Sequence, residues 1–529
     1  MPEHHQDPFF KAIKEKFKLN IGGLKKAVGK LKTDYLASEG ETDYGLIVAT
    51  RVLASHFENG KHLIHAADGF FWKYNGRYWE QIVSEHELGQ LCMAATRELG
   101  QIPKDVAVVV RQAITNLADL QARGGDPLRL TEPPLPVINC VNGELWIKED
   151  FTVERRDHSP DSFLRFCLDI EYDPDATCPM FNKAALEIFQ DSPDPQDMYR
   201  HMMEIYGYAI QPSRFIKVFF IWQGGGNNGK GKLIEVLIEL AGKKVVAPGR
   251  IVDLEHEYNR ANLVGKLIFY EDDMAHNTVL PDGALKQYSE AKYTSGRHTY
   301  GRISEFVVCV LPIMLCNPWP ITKDLTEGML VRAHVVPFRH KFVNGVDLDP
   351  RLFEGIIKQE LPGILNQAIK GLQGLMARGH FLEPKDCLVA KQEFLNASNP
   401  VPAFLNSGFC IQSLEEEIAA IRARFEIDLE VATKGHNQAL VQQLQNEMAI
   451  ASAKAEAAGT EGICQPTQEF YNNLLVWSRN EGRTWKPKKS QVEQDLVSLG
   501  FPVSNKSGQL KVYRLRSTSV IDQTPVRAW

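Results

Sequence analysis

The sequence is notable first for what it lacks. Its nine cysteines form no Cys-x-x-Cys pair and have no matching histidine spacing, so we expect neither a zinc site nor a disulfide framework. No apolar run approaches the ~20 residues needed to cross a bilayer, and the polar start, Met1 to His5, lacks a secretory signal pattern. We also find no internal repeat. These absences predict a cytoplasmic protein without a membrane partner.

The composition is that of a globular protein with an uneven charge distribution. The chain has 529 residues, 44% hydrophobic and 24% charged, which predicts three or four domains. The net charge is −6, yet both ends are basic: eight lysines face three acids over residues 1–32, and eight basic residues face two acids over 483–516. Such ends attract nucleic acid, although a solvated surface explains either one equally well.

Changes in composition along the chain predict six segments. Two Asn-Gly pairs, at Asn75 and Asn142, each predict a tight hairpin in the region before residue 182, and the aromatic residues around the first pair favour a core over a base-stacking surface. The predicted segments are a basic helical arm (1–40), an α+β domain (41–182), an α/β domain with a parallel sheet (183–345), a helical subdomain (346–410), a long helical segment (411–462) and a basic winged-helix-like domain (463–529).

The strongest motif is a glycine-rich loop between an apolar run, Val218 to Trp222, and a helical pattern that begins near Leu233. A strand that feeds such a loop into a helix points backbone N–H groups and the positive end of a helix dipole at one place, which suits phosphates. The alternative is a structural βα turn. Gly231 stands where the phosphate-loop template has the hydroxyl residue that helps to hold Mg²⁺. The predicted nucleotide-binding residues are Gly224, Gly225, Gly226, Asn227, Asn228, Gly229, Lys230, Gly231 and Lys232.

Two further strands end in polar residues. The strand from Lys266 ends in Glu271 and Asp272, which could hold Mg²⁺ and polarise a water molecule; by itself such an end is more often a solvated turn. A third strand, 307–316, leads to Asn317, whose amide could contact a γ-phosphate or only cap a turn. Arg332 could reach a neighbouring active site, or be an ordinary surface arginine.

The order of these motifs resembles that of superfamily 3 helicases, and more narrowly the phage/plasmid and poxvirus-type primase-helicase family. The resemblance covers about residues 45–345. It rests on the phosphate loop, the acidic strand, Asn317 and Arg332, together with further motifs in both regions. These are Val137-Ile138-Asn139 with Asn142-Gly143, His158-x-Pro160, Tyr172-Asp173-Pro174 with Ala176 and Cys178-Pro179, Tyr206-Gly207-Tyr208, Leu285-Lys286, and Tyr293 to Arg302.

The resemblance implies an AAA+-like P-loop domain that works as a ring, usually a homohexamer, with ATP and Mg²⁺ between subunits. It implies that Lys230 holds the β- and γ-phosphates and that Asn317 senses the γ-phosphate. Glu271 and Asp272 would hold the metal ion and position the water molecule. Arg332 and Lys286 would act on the nucleotide of a neighbouring subunit. A hairpin lining the channel would contact DNA through Arg297, His298, Tyr300 and Arg302.

Some features depart from the family pattern. Gly231 lacks the magnesium hydroxyl, and Val331 replaces an arginine that many relatives carry. The region before residue 45 is too short for the polymerising domain of many relatives, so we expect no priming activity. In the tail, helices followed by a small hairpin predict a winged helix that contacts duplex DNA, or else a packing module. Its candidate phosphate contacts are Lys486, Lys488, Lys489 and Arg514.

The sequence thus predicts an ATP-dependent DNA helicase that replicates a phage, plasmid or other mobile element in a host cytoplasm. Its expected partners are single-stranded and forked DNA, other copies of itself, and a separate primase or loader. The alternative is a scaffold or replication initiator that binds ATP and DNA without unwinding. A small-molecule kinase fits less well, because it has no use for basic end modules.

Overall fold

The computed structural model describes residues 43–99, 105–122, 126, 128, 135–275, 278–297, 303–324, 326–343, 351–481, 486–505 and 509–517. The predicted arm at 1–40 lies outside these residues. The chain divides into two compact units. The first comprises Met1–Met274, Pro281–Asn317 and Thr326–Cys387, and the second comprises Ala275–Leu280, Pro318–Leu325 and Leu388–Trp529. Among the described helices, none has the length and apolarity needed to cross a bilayer.

The first unit begins with an α+β region built from two antiparallel three-stranded sheets and three helices. Helices α1 and α3 both start at aspartates, Asp43 and Asp105, whose carboxylates accept backbone N–H groups of the first turn. Both predicted hairpins form; in the first, the side chain of Asn75 accepts the N–H groups of Arg77 and Tyr78. The elements are β1 (Leu63–His65), β2 (Phe71–Tyr74), β3 (Trp79–Ile82), β4 (Val137–Cys140), β5 (Gly143–Ile147), β6 (Val153–Arg156), α1 (Tyr44–His56), α2 (His86–Arg97) and α3 (Val106–Gln121).

A five-stranded parallel sheet follows, as predicted, in the order β13-β7-β12-β9-β8. Its central strands are apolar and buried along their length because helices cover both faces of a parallel sheet. The strands are β7 (Phe219–Gln223), β8 (Val246–Pro248), β9 (Ile268–Glu271), β12 (Leu311–Cys316) and β13 (Ala333–Pro337), and β10 (Tyr293–Arg297) pairs with β11 (Ile303–Val307) as a separate hairpin. The strand predicted over 307–316 starts only at Leu311.

Helices complete the first unit and share one core with the parallel sheet. They are α4 (Pro179–Ile188), α5 (Pro195–Ala209), α6 (Lys230–Ala241), α7 (Glu257–Ala261), α8 (Asp282–Tyr288), α9 (Glu327–Leu330), α10 (Leu352–Gln359) and α11 (Leu361–Arg378). Helices α5 and α11 cross closely at two glycines: a Cβ on Gly207 would lie 2.1 Å from the carbonyl oxygen of Ala368, and one on Gly371 would lie 2.5 Å from that of Met203.

The second unit is helical with two small sheets. Strands β15, β17 and β16 form an antiparallel sheet in that spatial order. Along the chain, α16 and α17 precede the hairpin of β16 and β17, which is the helix-helix-hairpin order predicted for the tail. Helices α14 and α15 pack on each other and bury almost none of their own side chains. The elements are α12 (Lys385–Ser398, which starts in the first unit), α13 (Pro400–Leu405), α14 (Leu414–Lys434), α15 (Gln438–Ala458), α16 (Thr467–Asn480), α17 (Lys489–Ser498), β14 (Cys410–Ile411), β15 (Cys464–Pro466), β16 (Val503–Asn505), β17 (Leu510–Tyr513) and β18 (Arg516–Ser517).

Candidate nucleotide site

The glycine-rich loop joins the end of β7 to the start of α6, as the sequence predicts. Two of its glycines are required by geometry. A Cβ on Gly224 would lie 2.6 Å from the carbonyl oxygen of Phe338, and Gly229 has a φ of +82° and packs against Ile188. By contrast, Gly225 and Gly226 have no described heavy atom within 4 Å of where a Cβ would stand. The loop is thus anchored at both ends and open in the middle.

Lys230, the first residue of α6, holds its ammonium group between the loop and the end of β12. The Nζ atom donates to the carbonyl oxygens of Gly224 at 3.1 Å and Cys316 at 2.8 Å, and to Oδ1 of Asn317 at 2.9 Å. Burial lowers the pKa of Lys230, while Cys316, Asp272 and Asp273 act in the opposite direction. A cation held only by neutral oxygens beside two carboxylates is suited to receive phosphate oxygens.

The acidic end of β9 lies beside this cluster, with β12 between β9 and β7. Glu271 is buried, and its Oε2 accepts the backbone N–H of Ile251 at 2.7 Å. Burial raises the pKa of Glu271, and the hydrogen bond from Ile251 partly offsets that rise. Asp272 and Asp273 are exposed, so their oxygens are available as the hard ligands that Mg²⁺ prefers.

Gly231 has open space at the position of the missing hydroxyl. Within the described part of the chain, no heavy atom lies within 4 Å of an ideal Cβ at Gly231. Lys232, also predicted to bind nucleotide, points to Glu235 with an Nζ to Oε2 distance of 2.8 Å and is exposed. The absence of a side chain at 231 is therefore not imposed by packing.

The segment after β13 is a part of the site that our sequence reasoning missed. The backbone N–H of Phe338 donates to the Gln223 carbonyl at 2.7 Å, and that of Phe342 donates to the Asn227 carbonyl at 2.7 Å. Asn228 adds a third contact between the loop and this segment, at 3.4 Å from its Nδ2 to the Phe338 carbonyl. The only signal in the sequence was the apolar run from Val335 to Phe338, which does not show that the chain continues along the phosphate loop.

Gln223 is a second missed residue. Its Nε2 donates to the backbone carbonyl of Asn317 at 3.0 Å and so links the ends of β7 and β12. Sequence reasoning gave Gln223 no role. Together with the lysine contact, this bond fixes Asn317 in the site.

Arg332 and Lys286 are not brought to the Lys230 cluster of their own chain. Arg332 precedes β13, and its carbonyl pairs with the N–H of Phe219, at the start of β7. The phosphate loop follows the other end of β7, roughly 13 Å away at about 3.3 Å per residue. Arg332 forms an ion pair with Glu290 in which both side chains are mostly buried, whereas the half-buried Lys286 contacts the hydroxyl of Thr326 at 3.3 Å.

Only some of the predicted DNA-contact residues lie within the described part of the chain. The β10–β11 hairpin forms where the resemblance implies it, with Arg297 opposite Ile303. His298, Tyr300 and Arg302 lie outside the described residues, as does the side chain of Arg297. In the tail, Lys486 and Lys488 are exposed and precede α17. Lys489 begins that helix 3.6 Å from Glu493, and Arg514, with a φ of +61°, follows β17.

Comparison with known proteins finds similarity to a protein family and to a viral protein. A family model described as "D5 N terminal like" matches residues 50–190. The protein "Putative helicase L207/L206" of Acanthamoeba polyphaga mimivirus is 23% identical over 199 residues, which is 36% of this chain and 20% of that protein. These matches support a resemblance to phage and viral primase-helicases over part of the chain. It spans about a fifth of the length of the mimivirus relative.

Solved structures also resemble this chain. Two apo structures of the NrS-1 C-terminal region are each 13% identical, cover 88% of this chain and 98% of their own, and have TM-scores of 0.44 and 0.45. The family match ends at residue 190, before the phosphate loop. The nucleotide site described above therefore depends on this chain's own geometry.

Proposed function

We propose that this protein is an ATP-driven replicative DNA helicase of a phage, plasmid or other mobile element. In this proposal it assembles into a ring, usually a homohexamer, and moves single-stranded DNA through a central channel. The observation that carries the proposal is the contact of Lys230 with Asn317, which joins the phosphate loop to the end of the neighbouring strand. The helicase-type relatives support the same function.

The order of the sheet supports an AAA+-like P-loop ATPase. Strand β12, which ends before Asn317, lies between β7, which leads into the phosphate loop, and β9, which carries the acids. Since the carboxyl ends of parallel strands meet at one edge, Lys230, Asn317 and Asp272 converge there. A site of this kind can position a triphosphate, a metal ion and an attacking water molecule.

ATP and Mg²⁺ are the proposed cofactors. Lys230 would exchange its carbonyl contacts for β- and γ-phosphate oxygens, and Asp272 would hold the metal directly or through water. Glu271 would orient the attacking water, a role that its raised pKa and burial suit. Mg²⁺ would supply charge neutralisation at the phosphates. Without a hydroxyl at Gly231, the metal would depend more on Asp272, on water and on the nucleotide.

The neighbouring subunit would complete the site through Arg332 and Lys286. Their position at the end of the sheet remote from Lys230 supports action on another copy of the chain. Arg332 would have to leave Glu290 for this role. The β10–β11 hairpin, with Arg297, His298, Tyr300 and Arg302, would contact the strand in the channel, and the basic tail would contact duplex DNA near the fork.

The decisive experiment compares Lys230→Ala with Lys243→Ala on full-length protein. Lys243 is an exposed lysine that pairs with Glu239 beyond the other end of α6, and so controls for loss of one positive charge. We expect Lys230→Ala to abolish DNA-stimulated ATP hydrolysis and unwinding of a fork, and Lys243→Ala to retain both. Full unwinding by Lys230→Ala would refute the proposal.

A scaffold or initiator that binds ATP without productive turnover is a second candidate, favoured by the missing hydroxyl at Gly231. Single-turnover hydrolysis, measured with and without single-stranded DNA, separates the two functions. A helicase should cleave bound ATP faster when DNA is present. A scaffold should bind ATP and show no DNA-stimulated cleavage.

A further inference from the structure

A second pocket lies at the edge of the parallel sheet opposite the phosphate loop. We call it the Arg165 pocket. Its walls come from the segment after β6, from the residues just before β9, and from the link between β11 and β12, where Val307 and Cys309 line it. Because these residues precede the parallel strands while Lys230 follows one, the length of the sheet separates the two sites. None of our predicted site residues lines this pocket.

The pocket has an apolar, partly aromatic wall. Trp146, Phe163 and Phe166 line it together with aliphatic side chains. It encloses about 60 Å³, and about 610 Å³ when its mouth open to solvent is included. The enclosed part has room for about four or five water molecules at 10–15 Å³ each, or for a group of phosphate size. The wider mouth is large enough for a ring system.

Arg165 is the unusual member of this lining. Arg165 is half-buried, and within the described residues its guanidinium makes no hydrogen bond and no ion pair. Asp68 and Asp126 act on it only through longer-range attraction, and the Asp68 carboxylate already accepts the backbone N–H of Phe70 and Nε1 of Trp72. A half-buried guanidinium whose donors are not taken up by the described chain is available for charge-assisted hydrogen bonds to an anion.

Lys266 adds a second cation to the pocket. Its Nζ donates to the Lys244 carbonyl at 2.5 Å and has no carboxylate partner within the described chain. A fork of guanidinium donors with an ammonium nearby is the usual means of holding a phosphate. Aromatic walls beside such a cation pair are typical of sites that take a base together with its phosphate.

We propose that the Arg165 pocket binds one nucleotide, with its phosphate at Arg165 and Lys266 and its base against the aromatic wall. The nucleotide can be free or part of a single DNA strand, since both present the same chemistry. This site is separate from the ATP site and does not depend on hydrolysis. Its position beside Val307, at the base of the β10–β11 hairpin, places the bound nucleotide next to the segment that continues into β12 and Asn317.

The test uses full-length Lys230→Ala protein, so that the phosphate loop does not mask the second site. Binding of dTMP is measured by calorimetry, and a single-stranded oligonucleotide carrying 5-iododeoxyuridine is photocrosslinked and its attachment site mapped by mass spectrometry. We expect crosslinks at Trp146 or within 162–168. The substitution Arg165→Met, which removes the charge but keeps the length, should weaken binding at least tenfold. Arg200→Gln, at an exposed arginine on α5, is the matched control.

Each outcome decides the proposal. Binding of dTMP that a plain oligonucleotide displaces supports a strand nucleotide, and binding without displacement supports a free nucleotide. Crosslinks confined to other regions, unchanged affinity in Arg165→Met, or binding of an aliphatic carboxylate such as decanoate but not of dTMP would each overturn it. A melting temperature of Arg165→Met no lower than that of the parent shows that the loss of binding is not a loss of fold.

Discussion

Lys230 and Asn317, 87 positions apart in the chain, are joined by a 2.9 Å hydrogen bond from the ammonium to Oδ1. Two backbone carbonyls hold the same ammonium group, so Lys230 keeps its place without the amide. The pair therefore separates two roles at the proposed ATP site. We propose that Lys230 binds the phosphates and that Asn317 contacts the γ-phosphate.

Replacing Asn317 with alanine should consequently affect turnover more than binding. We expect DNA-stimulated kcat to fall by about 10- to 100-fold, in the range seen when a single transition-state donor is removed, with less than a threefold change in nucleotide Kd. The measurement is steady-state ATPase with a separate equilibrium binding assay. Asn472→Ala, on the exposed face of α16, is the control. A parallel loss of binding and turnover would contradict this division of roles.

Restoring the missing hydroxyl should strengthen metal binding. Gly231→Ser places a side chain in open space, so we expect it to fold normally and to lower the Mg²⁺ concentration for half-maximal ATP turnover by several fold. A magnesium titration of the ATPase rate measures this. Gly283→Ser, another open glycine on α8, should leave that concentration unchanged. If both substitutions act alike, the hydroxyl is not a ligand.

The ion pair of Arg332 with Glu290 should stabilise the isolated subunit. The two side chains are only 13% and 9% exposed. Glu290 also pairs with Lys217 at 3.6 Å and Lys292 at 2.7 Å, so the loss of Arg332 leaves this carboxylate partly paired and should cost less than the about 3–5 kcal/mol of a buried pair that is broken completely. We expect Arg332→Gln and Glu290→Gln each to lower the free energy of unfolding, and the double variant to lose less than their sum. Chemical denaturation of all four proteins measures the coupling. Additive losses would show that the pair contributes nothing to stability.

The close crossing of α5 and α11 depends on glycine. Gly207→Ala would push a Cβ into the backbone of α11, so we expect a loss of about 1–3 kcal/mol in the free energy of unfolding. Gly374→Ala is the matched control, because that glycine lies on α11 with no described atom within 4 Å of its Cβ position. This variant should gain up to about 1 kcal/mol from helix propensity. Urea denaturation compares the two.

His201 should make stability depend on pH. In the described chain neither ring nitrogen has a hydrogen-bond partner, and burial, with Arg378 nearby, lowers its pKa to about 3 in the folded state. The unfolded histidine has a pKa of about 6.5, so between these values the unfolded state binds more protons. The contribution of neutral His201 to folding stability is therefore fully present above pH 6.5 and is lost as the pH drops toward 3.

The variant His201→Leu removes this proton linkage. Relative to the parent, its free energy of unfolding should rise by up to about 1.4 kcal/mol for each pH unit below 6.5, and the difference should be constant above that pH. Denaturation series at several pH values give the comparison, which cancels the contributions of other titrating groups. A difference that does not change with pH would show that His201 is accessible to protons in the folded state.

Local pattern predicted much of the fold. The two hairpins followed from Asn-Gly pairs, because these pairs favour tight turns wherever they occur. The phosphate loop followed from the placement of glycines between a strand and a helix. The resemblance to the primase-helicase family is confirmed by the matches to its N-terminal domain and to a viral relative. The roles of Lys230, Glu271, Asp272 and the DNA-contact residues stay predictions.

Other features depend on residues that lie far apart in the chain. No local pattern shows that the segment from Phe338 to Phe342 clasps the phosphate loop, that Gln223 holds Asn317, or that Arg332 pairs with Glu290. Each of these contacts depends on which strands are neighbours, and strand order is set by packing of the whole sheet.

The sequence by itself determined the element types, the phosphate loop and the family resemblance, because these depend on side-chain periodicity, glycine and motif order over short stretches. Only the tertiary structure decided which polar groups meet at the sheet edge, that Gly207 and Gly371 let two helices touch, and that Arg165 lines a pocket without a partner among the described residues. The reason is physical: hydrogen bonds, burial and close packing act between atoms within a few ångströms, whatever their separation along the chain.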